Sequence, residues 1–147
     1  MSELAPDPDP VPADVPRLVV VDGDERTRES IVGILGIRRR YAVVGRAGDP
    51  VDALALATDK RPDLVVLDPR LPDAADGLAL IRQLRETSPA TRILVLGWSA
   101  QAEGEAMAAG ADCFIRKTFK PGELSAAITL CLSGLAAGAP AGSGRTG

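Results

Sequence analysis

Two carboxylates and one ammonium group follow apolar runs in this chain. Asp22 closes the run Leu18–Val21, Asp68 closes the run Leu64–Leu67, and Lys117 follows a third, shorter apolar segment. Four consecutive apolar residues between turn signals are typical of a strand that is buried on both faces of a parallel sheet. The charged residues then fall at the carboxyl edge of that sheet, where open α/β folds carry their sites. If the three strands are parallel neighbours, the ammonium group can pair with both carboxylates.

Strand and helix signals alternate along the chain and position these residues. We predict strands at 17–22, 41–46, 63–68, 92–96 and 112–116. Helices are expected from the caps Asp24 and Asp49, through Leu78, Ile81 and Leu84, over about 100–109, and from Pro121 through Leu124, Ile128, Cys131 and Leu135. Strict alternation favours a parallel sheet with helices on both faces. Right-handed crossovers then favour a flavodoxin-like (βα)5 doubly wound α/β fold with strand order 2-1-3-4-5.

Composition sets the limits of the folded domain. Residues 1–15 are rich in proline and aspartate and predict a disordered tail. Residues 137–147 are rich in alanine and glycine and predict a flexible tail or linker. The domain itself is therefore expected to occupy residues 16–136.

Several classes of function are disfavoured by composition. The chain has no histidine, which removes histidine-based acid–base and metal-ligand chemistry. Four of its 20 acidic residues precede Arg17, which leaves 16 acidic residues against 17 basic ones and argues against a nucleic-acid surface. No apolar stretch is long enough to span a membrane, and no secretory signal is visible. We therefore expect a cytoplasmic protein in which Cys113 and Cys131 are reduced and buried.

The order of the motifs resembles the receiver domain of bacterial two-component response regulators. The matching motifs are Pro62–Asp68, Leu71-Pro72, Asp76-Gly77-Leu78, Ala109–Asp112 and Lys117. Together they cover nearly the whole predicted domain and are far more specific than any one alone. Val43-Val44-Gly45 and Gly110-Ala111-Asp112 resemble the subgroup that often carries a helix-turn-helix effector.

The resemblance implies a phosphoryl chemistry. It makes Asp68 the phosphoacceptor, a carboxylate nucleophile that receives the phosphoryl group from a histidine kinase, a phosphotransfer protein or a small phosphodonor. It implies that Mg²⁺ is held by this aspartate and a pair of acids after the first strand, and that Lys117 pairs with the phosphoryl oxygens. A hydroxyl at the end of the fourth strand and an aromatic in the fifth, here Phe114, would move together on activation.

The sequence departs from this pattern at several positions, two of which bear on the chemistry. The acid pair reads Asp22-Gly23, with Asp24 one residue later as a helix cap and alternative metal ligand. The hydroxyl position reads Gly97, with Ser99 two residues beyond it as the remaining switch hydroxyl. Both departures remove a group that would hold the metal or the phosphoryl oxygens.

Charge weakens the site further. Arg70, two residues after Asp68, would make the rim neutral if it turns inward, because two cations would then face two carboxylates. We therefore expect a Mg²⁺ site that is weak or absent. Trp98 could lie over the pocket as a lid, although plain packing is the commoner role for a single tryptophan.

These features predict a receiver domain that signals through a change in its binding to protein partners. Its atypical site suggests a pseudo-receiver. Whether Asp68 is phosphorylated stays open, as does a homodimer through the fourth helix, fifth strand and fifth helix. The expected partner is a histidine kinase or phosphotransfer protein, with no membrane and no direct binding of nucleic acid by this domain. The alternatives are a small α/β phosphatase or hydrolase with Asp68 as nucleophile, and a flavodoxin-like nucleotide-binding module.

Overall fold

Five strands and five helices alternate in the computed structural model, which describes residues 15–37 and 40–134. The strands are β1 (Arg17–Val21), β2 (Ala42–Ala47), β3 (Leu64–Leu67), β4 (Arg92–Gly97) and β5 (Cys113–Arg116). The helices are α1 (Glu25–Gly36), α2 (Pro50–Lys60), α3 (Ala74–Thr87), α4 (Ala100–Ala109) and α5 (Pro121–Leu132). Each predicted strand is found within one residue of its expected bounds. The predicted tails and Leu135 lie outside the described residues, apart from Val15 before β1.

All strand pairs in the sheet are parallel, and the strand order is β2-β1-β3-β4-β5. The predicted flavodoxin-like fold is therefore confirmed. Successive residues of each strand point to opposite faces, so that Val19 and Val21 join one core cluster and Leu18 and Val20 join the other. Helices α2, α3 and α4 cover the first face, and α1 and α5 cover the second. The central strands read as continuous apolar runs because both of their faces are covered.

Side-chain caps fix where the helices begin. Asp24, Asp49, Asp73 and Ser99 each accept a hydrogen bond from a backbone N–H in the first turn of α1, α2, α3 and α4. Each cap satisfies a backbone donor that the helix cannot pair internally. Because these helices start at the carboxyl edge of the sheet, the caps also fix the loops that carry the charged residues.

Cys113 and Cys131 are both buried, as predicted. A hydrogen bond with Cys113 and burial raise the pKa of the Cys131 thiol, so it is a poor thiolate nucleophile. No helix within residues 15–37 and 40–134 is long and apolar enough to cross a bilayer.

An ion pair at the opposite edge of the sheet ties α3 to β4 and β5. Asp112 accepts hydrogen bonds from the Arg85 guanidinium at 2.5 Å and from the Ile93 backbone N–H at 2.8 Å. Arg85 also donates to the carbonyl of Gly110. The buried backbone donor of β4 is therefore satisfied by a charged acceptor, which is the stronger kind of hydrogen bond.

Gly77 lets α3 pack directly on the loop that follows Asp68. A Cβ atom at this position would lie 1.5 Å from the carbonyl oxygen of Pro69, and that backbone has no flexible end that could move aside. The absence of a side chain at Gly77 therefore sets the distance between α3 and the site.

Gly77→Ala is expected to lower the free energy of unfolding by about 1–3 kcal/mol or more, because overpacking must displace backbone. Gly104→Ala is the matched control, since this helical glycine has open space around its Cβ position. The control should stabilise the protein by about 0.5–1 kcal/mol through higher helix propensity. Urea denaturation measures both changes, and similar effects at the two positions would contradict the packing of α3 on Pro69.

Candidate functional site

The site lies where β1, β3 and β5 end at the carboxyl edge of the sheet. The Asp68 backbone N–H donates to the carbonyl of Val21 at 2.9 Å, and the Lys117 N–H donates to the carbonyl of Gly97 at 2.8 Å. These hydrogen bonds extend the ladder by one residue beyond the strands. They therefore hold the charged residues rigidly at the rim.

Lys117 lies between the two carboxylates. Its Nζ is 2.8 Å from Asp22 Oδ2 and 2.5 Å from Asp68 Oδ2. The Lys117 side chain is only 7% exposed, and both carboxylates are buried. Removal of three charges from water is costly unless each charge is paired, and here one ammonium pairs with both acids. The structure thus brings together the three residues that the strand pattern singled out, while their roles in phosphoryl chemistry stay predictions.

Arg70 folds back over Asp68 and supplies it with a second cation, and its side chain stays 57% exposed. Its backbone N–H donates to Asp68 Oδ1 at 2.9 Å, and its guanidinium Nη2 lies 3.2 Å from Asp68 Oδ2. The guanidinium carbon also lies 5.9 Å from the centroid of the Trp98 ring, a cation–π distance. Two carboxylates and two cations therefore share the rim, and their formal charge is zero.

Opposing effects act on the pKa of Asp68. Burial raises it, but hydrogen bonds from Lys117 and Arg70 outweigh burial, and the pKa lies below its ordinary value. The ionised form of Asp68 is therefore the stable form in the folded protein. Both of its oxygens are engaged, Oδ1 by the Arg70 backbone and Oδ2 by two cations.

Asp24 caps α1. Its Oδ1 accepts from the Thr27 N–H at 3.1 Å, and this bond lowers the pKa of Asp24. Its own backbone N–H donates to Asp22 Oδ1 at 2.9 Å. The two acids are therefore joined by a backbone turn, with the Asp24 side chain committed to the helix.

The residues present do not fit a Mg²⁺ ion. Mg²⁺ requires several oxygen ligands in near-octahedral geometry. Within the part of the chain that the structure describes, no three acidic, cysteine or histidine side chains cluster as metal ligands. A Cβ at Gly23 would lie 3.4 Å from the Arg70 carbonyl oxygen, so the third carboxylate that a metal would need is missing from a position that faces the rim.

The switch positions are equally altered. Gly97 ends β4, and the Phe114 ring lies against its α-carbon side, with Phe114 buried. Ser99 caps α4, and its Oγ accepts from the Ala102 N–H at 3.0 Å. Gly97 therefore offers no hydroxyl to Asp68, and the Ser99 hydroxyl lies at the start of α4 as its cap.

Trp98 and Arg70 separate two cavities at the rim. One cavity of about 270 Å³ lies towards α3 and α4, and its lining includes Asp68, Leu78, Ala102 and Glu105. The other, of about 440 Å³, lies towards α1, and its lining includes Asp22, Thr27, Ser30 and Lys117. Trp98 is 52% exposed, so it forms an edge shared by both cavities and is not a buried packing residue.

Sequence reasoning missed the residues that line these cavities from the helices. Thr27 and Ser30 lie on the face of α1 above Asp22, and Glu105 lies on α4. Helical spacing from the caps could have found them, because Thr27 follows Asp24 by three residues and Ser30 follows by six.

Comparison with known sequences decides between the functions that the rim allows. A sequence model of the response regulator receiver domain matches residues 18–129. The chain belongs to the response regulator receiver family. The receiver match spans β1 to α5, so it includes the whole rim and both cavities.

The curated relatives of this receiver are longer proteins. The DNA-binding transcriptional activator DevR/DosR of Mycobacterium tuberculosis is 38% identical over 114 residues, which are 76% of this chain and 52% of that protein. The response regulator MprA of Mycobacterium sp. strain KMS is 41% identical over 118 residues, 79% of this chain and 50% of that protein. The chain spans about half the length of these relatives.

Solved receiver structures share the fold. A two-component response regulator of the LuxR family from Aurantimonas sp. has a TM-score of 0.77 at 32% identity, with 84% of this chain and 89% of that chain covered. The signal receiver domain of the response regulator NarL from Mycobacterium tuberculosis has a TM-score of 0.75 at 30% identity, covering 82% and 98%. The phosphatase, hydrolase and nucleotide-binding alternatives are therefore not favoured, and the chain is a response regulator receiver domain of a two-component system.

Lys117→Met is expected to lower the free energy of unfolding at pH 7 by about 3–5 kcal/mol, because two buried carboxylates lose their shared cation. The loss should be smaller at pH 4. In the wild type the pKa of Asp68 is lowered, so its contribution is present above the unfolded-state pKa of about 3.9 and is lost as pH falls through the folded-state value. Without Lys117 the Asp68 carboxylate takes up a proton at higher pH, which relieves the repulsion between the two acids in the variant.

Urea denaturation at pH 7 and pH 4 measures the difference in the free energy of unfolding between wild type and Lys117→Met at each pH. Lys60→Met is the control, since Lys60 lies at the surface and its carboxylate partner Asp59 is 3.8 Å away. The control should change stability by less than about 0.5 kcal/mol at both pH values. A Lys117→Met effect that is small, or that does not shrink on acidification, would contradict the buried ion cluster.

Gly23→Asp is expected to create a Mg²⁺ site at the rim. The new Cβ would meet the Arg70 carbonyl at 3.4 Å and Leu71 Cδ2 at 3.6 Å, so only small shifts are needed. Titration with Mg²⁺, followed by Trp98 fluorescence, should give a saturable change. Gly122→Asp adds the same charge where no atom lies within 4 Å and should give none. A Gly23→Asp variant without a metal response would contradict the assignment of position 23 as the missing ligand.

Proposed function

We propose that this domain is a pseudo-receiver, which contributes to two-component signalling by protein binding whose strength does not depend on phosphorylation of Asp68. The observation that carries the proposal is the neutral rim, in which Lys117 and Arg70 pair with Asp22 and Asp68. Lys117 and Arg70 therefore balance the carboxylate charges that a metal ion would otherwise have to balance.

The nucleophile is poorly disposed to accept a phosphoryl group. Attack requires a lone pair of an Asp68 oxygen to point towards the donor, but hydrogen bonds from Lys117 and Arg70 engage those oxygens. Cations that lower the pKa of a carboxylate also lower its nucleophilicity. The same contacts that stabilise the fold therefore slow any phosphorylation.

An acyl phosphate would also lack two of its stabilising groups. Gly23 supplies no carboxylate to a metal, and Gly97 supplies no hydroxyl to the phosphoryl oxygens. A hydrogen bond to a charged group contributes about 1.5–3 kcal/mol, so the absent hydroxyl alone would weaken the phosphorylated state considerably. Charge neutrality removes the attraction that would draw a divalent cation to the rim.

The partners follow from the family. Response regulators act with histidine kinases, and the domain's partner is a histidine kinase or a phosphotransfer protein in the cytoplasm. Leu130 on α5 and Met107 on α4 are exposed apolar residues, whereas Leu132 packs against the core, so these two residues are available to a homodimer face formed by α4, β5 and α5. The relative DevR/DosR is a DNA-binding transcriptional activator, so DNA binding by a longer protein that contains this receiver belongs to the same proposal.

Trp98 gives a direct test, since it is the only tryptophan of the chain and lines both cavities. Wild-type protein titrated with Mg²⁺ and then with beryllofluoride should give no saturable change in Trp98 fluorescence. Gly23→Asp is the positive control for the optical signal. Saturable binding of either ligand to the wild type at millimolar concentration would overturn the pseudo-receiver proposal and restore a phosphorylation switch.

A further inference from the structure

Phe114 occupies the volume that a side chain at position 97 would need. A Cβ built on Gly97 would lie 2.7 Å from Phe114 Cζ and 2.8 Å from Cε2. Real Cβ atoms essentially never approach another carbon so closely. The ring therefore sits where the β-carbon of a serine or threonine would be, and the two cannot coexist without movement of one of them.

The register of the sheet explains this contact. Phe114 pairs with Val95, and Gly97 pairs with Arg116, so the ring reaches diagonally along β4 to the second residue on the same face. Because Gly97 is the last residue of β4, the ring ends directly beneath the loop that carries Trp98. The contact thus joins the rim of the sheet to the face formed by β5 and α4.

Small residues of α4 form the remaining packing surface around the Phe114 ring. The Cβ of Ala102 lies 3.5 Å from the same point, and Ala106 and Ala109 are buried in the cluster that contains Phe114. A larger side chain on this face of α4 would compete with the ring. Ser99 caps α4 and so fixes the start of the helix above the ring.

We propose that the ring of Phe114 is locked inward on Gly97, so that the β5–α4 face keeps one conformation whether or not Asp68 carries a ligand. Burial of a phenylalanine side chain favours the inward position by about 10- to 150-fold, because an outward ring would be exposed and would leave this packing surface uncovered. A side chain at position 97 would keep the ring out of this space and could admit it by shifting towards the rim, but glycine has no side chain to do this.

This inference rests on the proposed function and extends it. A receiver that acts independently of phosphorylation needs a binding face whose conformation does not change with the state of the rim. The geometry of the lock itself involves no metal or phosphoryl group. Its failure can therefore be separated from failure of the pseudo-receiver proposal.

Fluorine NMR can follow the ring directly. The chain has two phenylalanines, Phe114 and Phe119, so incorporation of 4-fluorophenylalanine gives two resonances, and Phe119→Leu assigns them. We expect one sharp Phe114 resonance with little solvent isotope shift between H₂O and D₂O, unchanged by Mg²⁺ and beryllofluoride. Exchange broadening from a second ring position, or a large solvent isotope shift, would overturn the lock.

Gly97→Thr should displace the ring. The Phe114 resonance is expected to move and to gain a solvent isotope shift, whereas Gly122→Thr, at an open helical position, should leave it in place. An unmoved Phe114 resonance in Gly97→Thr would overturn the proposal.

A pair of double variants keeps the test valid if Gly97→Thr is too unstable for NMR. Gly97→Thr should lower the melting temperature strongly when position 114 is phenylalanine, and much less in a Phe114→Ala background, where the space is vacant. Additive losses would overturn the lock. Saturable beryllofluoride binding with an unmoved Phe114 resonance would refute the pseudo-receiver proposal alone, whereas ring exchange without ligand binding would refute the lock alone.

Discussion

The contact of Lys117 with Asp22 and Asp68 is the interaction on which the rest of the site depends. These carboxylates follow two neighbouring strands and are buried, so without a cation the sheet would carry two repelling charges at one edge. Lys117 reaches them from β5, across β4, and so links the ends of β1, β3 and β5 at the rim. The lysine is therefore both a structural tie between the strands and one cause of the lowered pKa of Asp68.

The fold could be predicted from the sequence because its determinants are local. Apolar runs such as Leu64–Leu67, and caps such as Asp49 followed by Pro50, specify strands and helix starts within a few residues. Parallel topology then follows from alternation, and it brings Asp22, Asp68 and Lys117 to one edge. The predicted ends of β1 and β3 lie one residue beyond the observed ends. Asp22 and Asp68 still donate backbone hydrogen bonds to the neighbouring strand, but they lie just outside the strands.

The finer chemistry of the site could not be predicted from spacing, since it depends on side-chain directions. The sequence left open whether Arg70 turns inward, and tertiary packing decides that its guanidinium lies between Asp68 and Trp98. The ring of Phe114 above Gly97 depends on the register of β4 against β5, which no single-strand pattern contains. The sequence shows which side chains are absent at Gly23 and Gly97, whereas the groups that occupy the space beside these glycines are determined by tertiary packing.

The two glycines of the rim have opposite physical consequences. At Gly23 the missing side chain leaves its place facing the Arg70 carbonyl, so a ligand is lost and the charges of the rim are balanced by cations instead. At Gly97 the missing side chain admits a neighbouring ring, so space is filled and a hydrophobic contact replaces a polar one. The rim is therefore stabilised at Gly23 by charge pairing and at Gly97 by hydrophobic packing. Conformational coupling between the rim and the β5–α4 face requires a side chain that contacts both. In this chain the position between them is Gly97, which has no side chain.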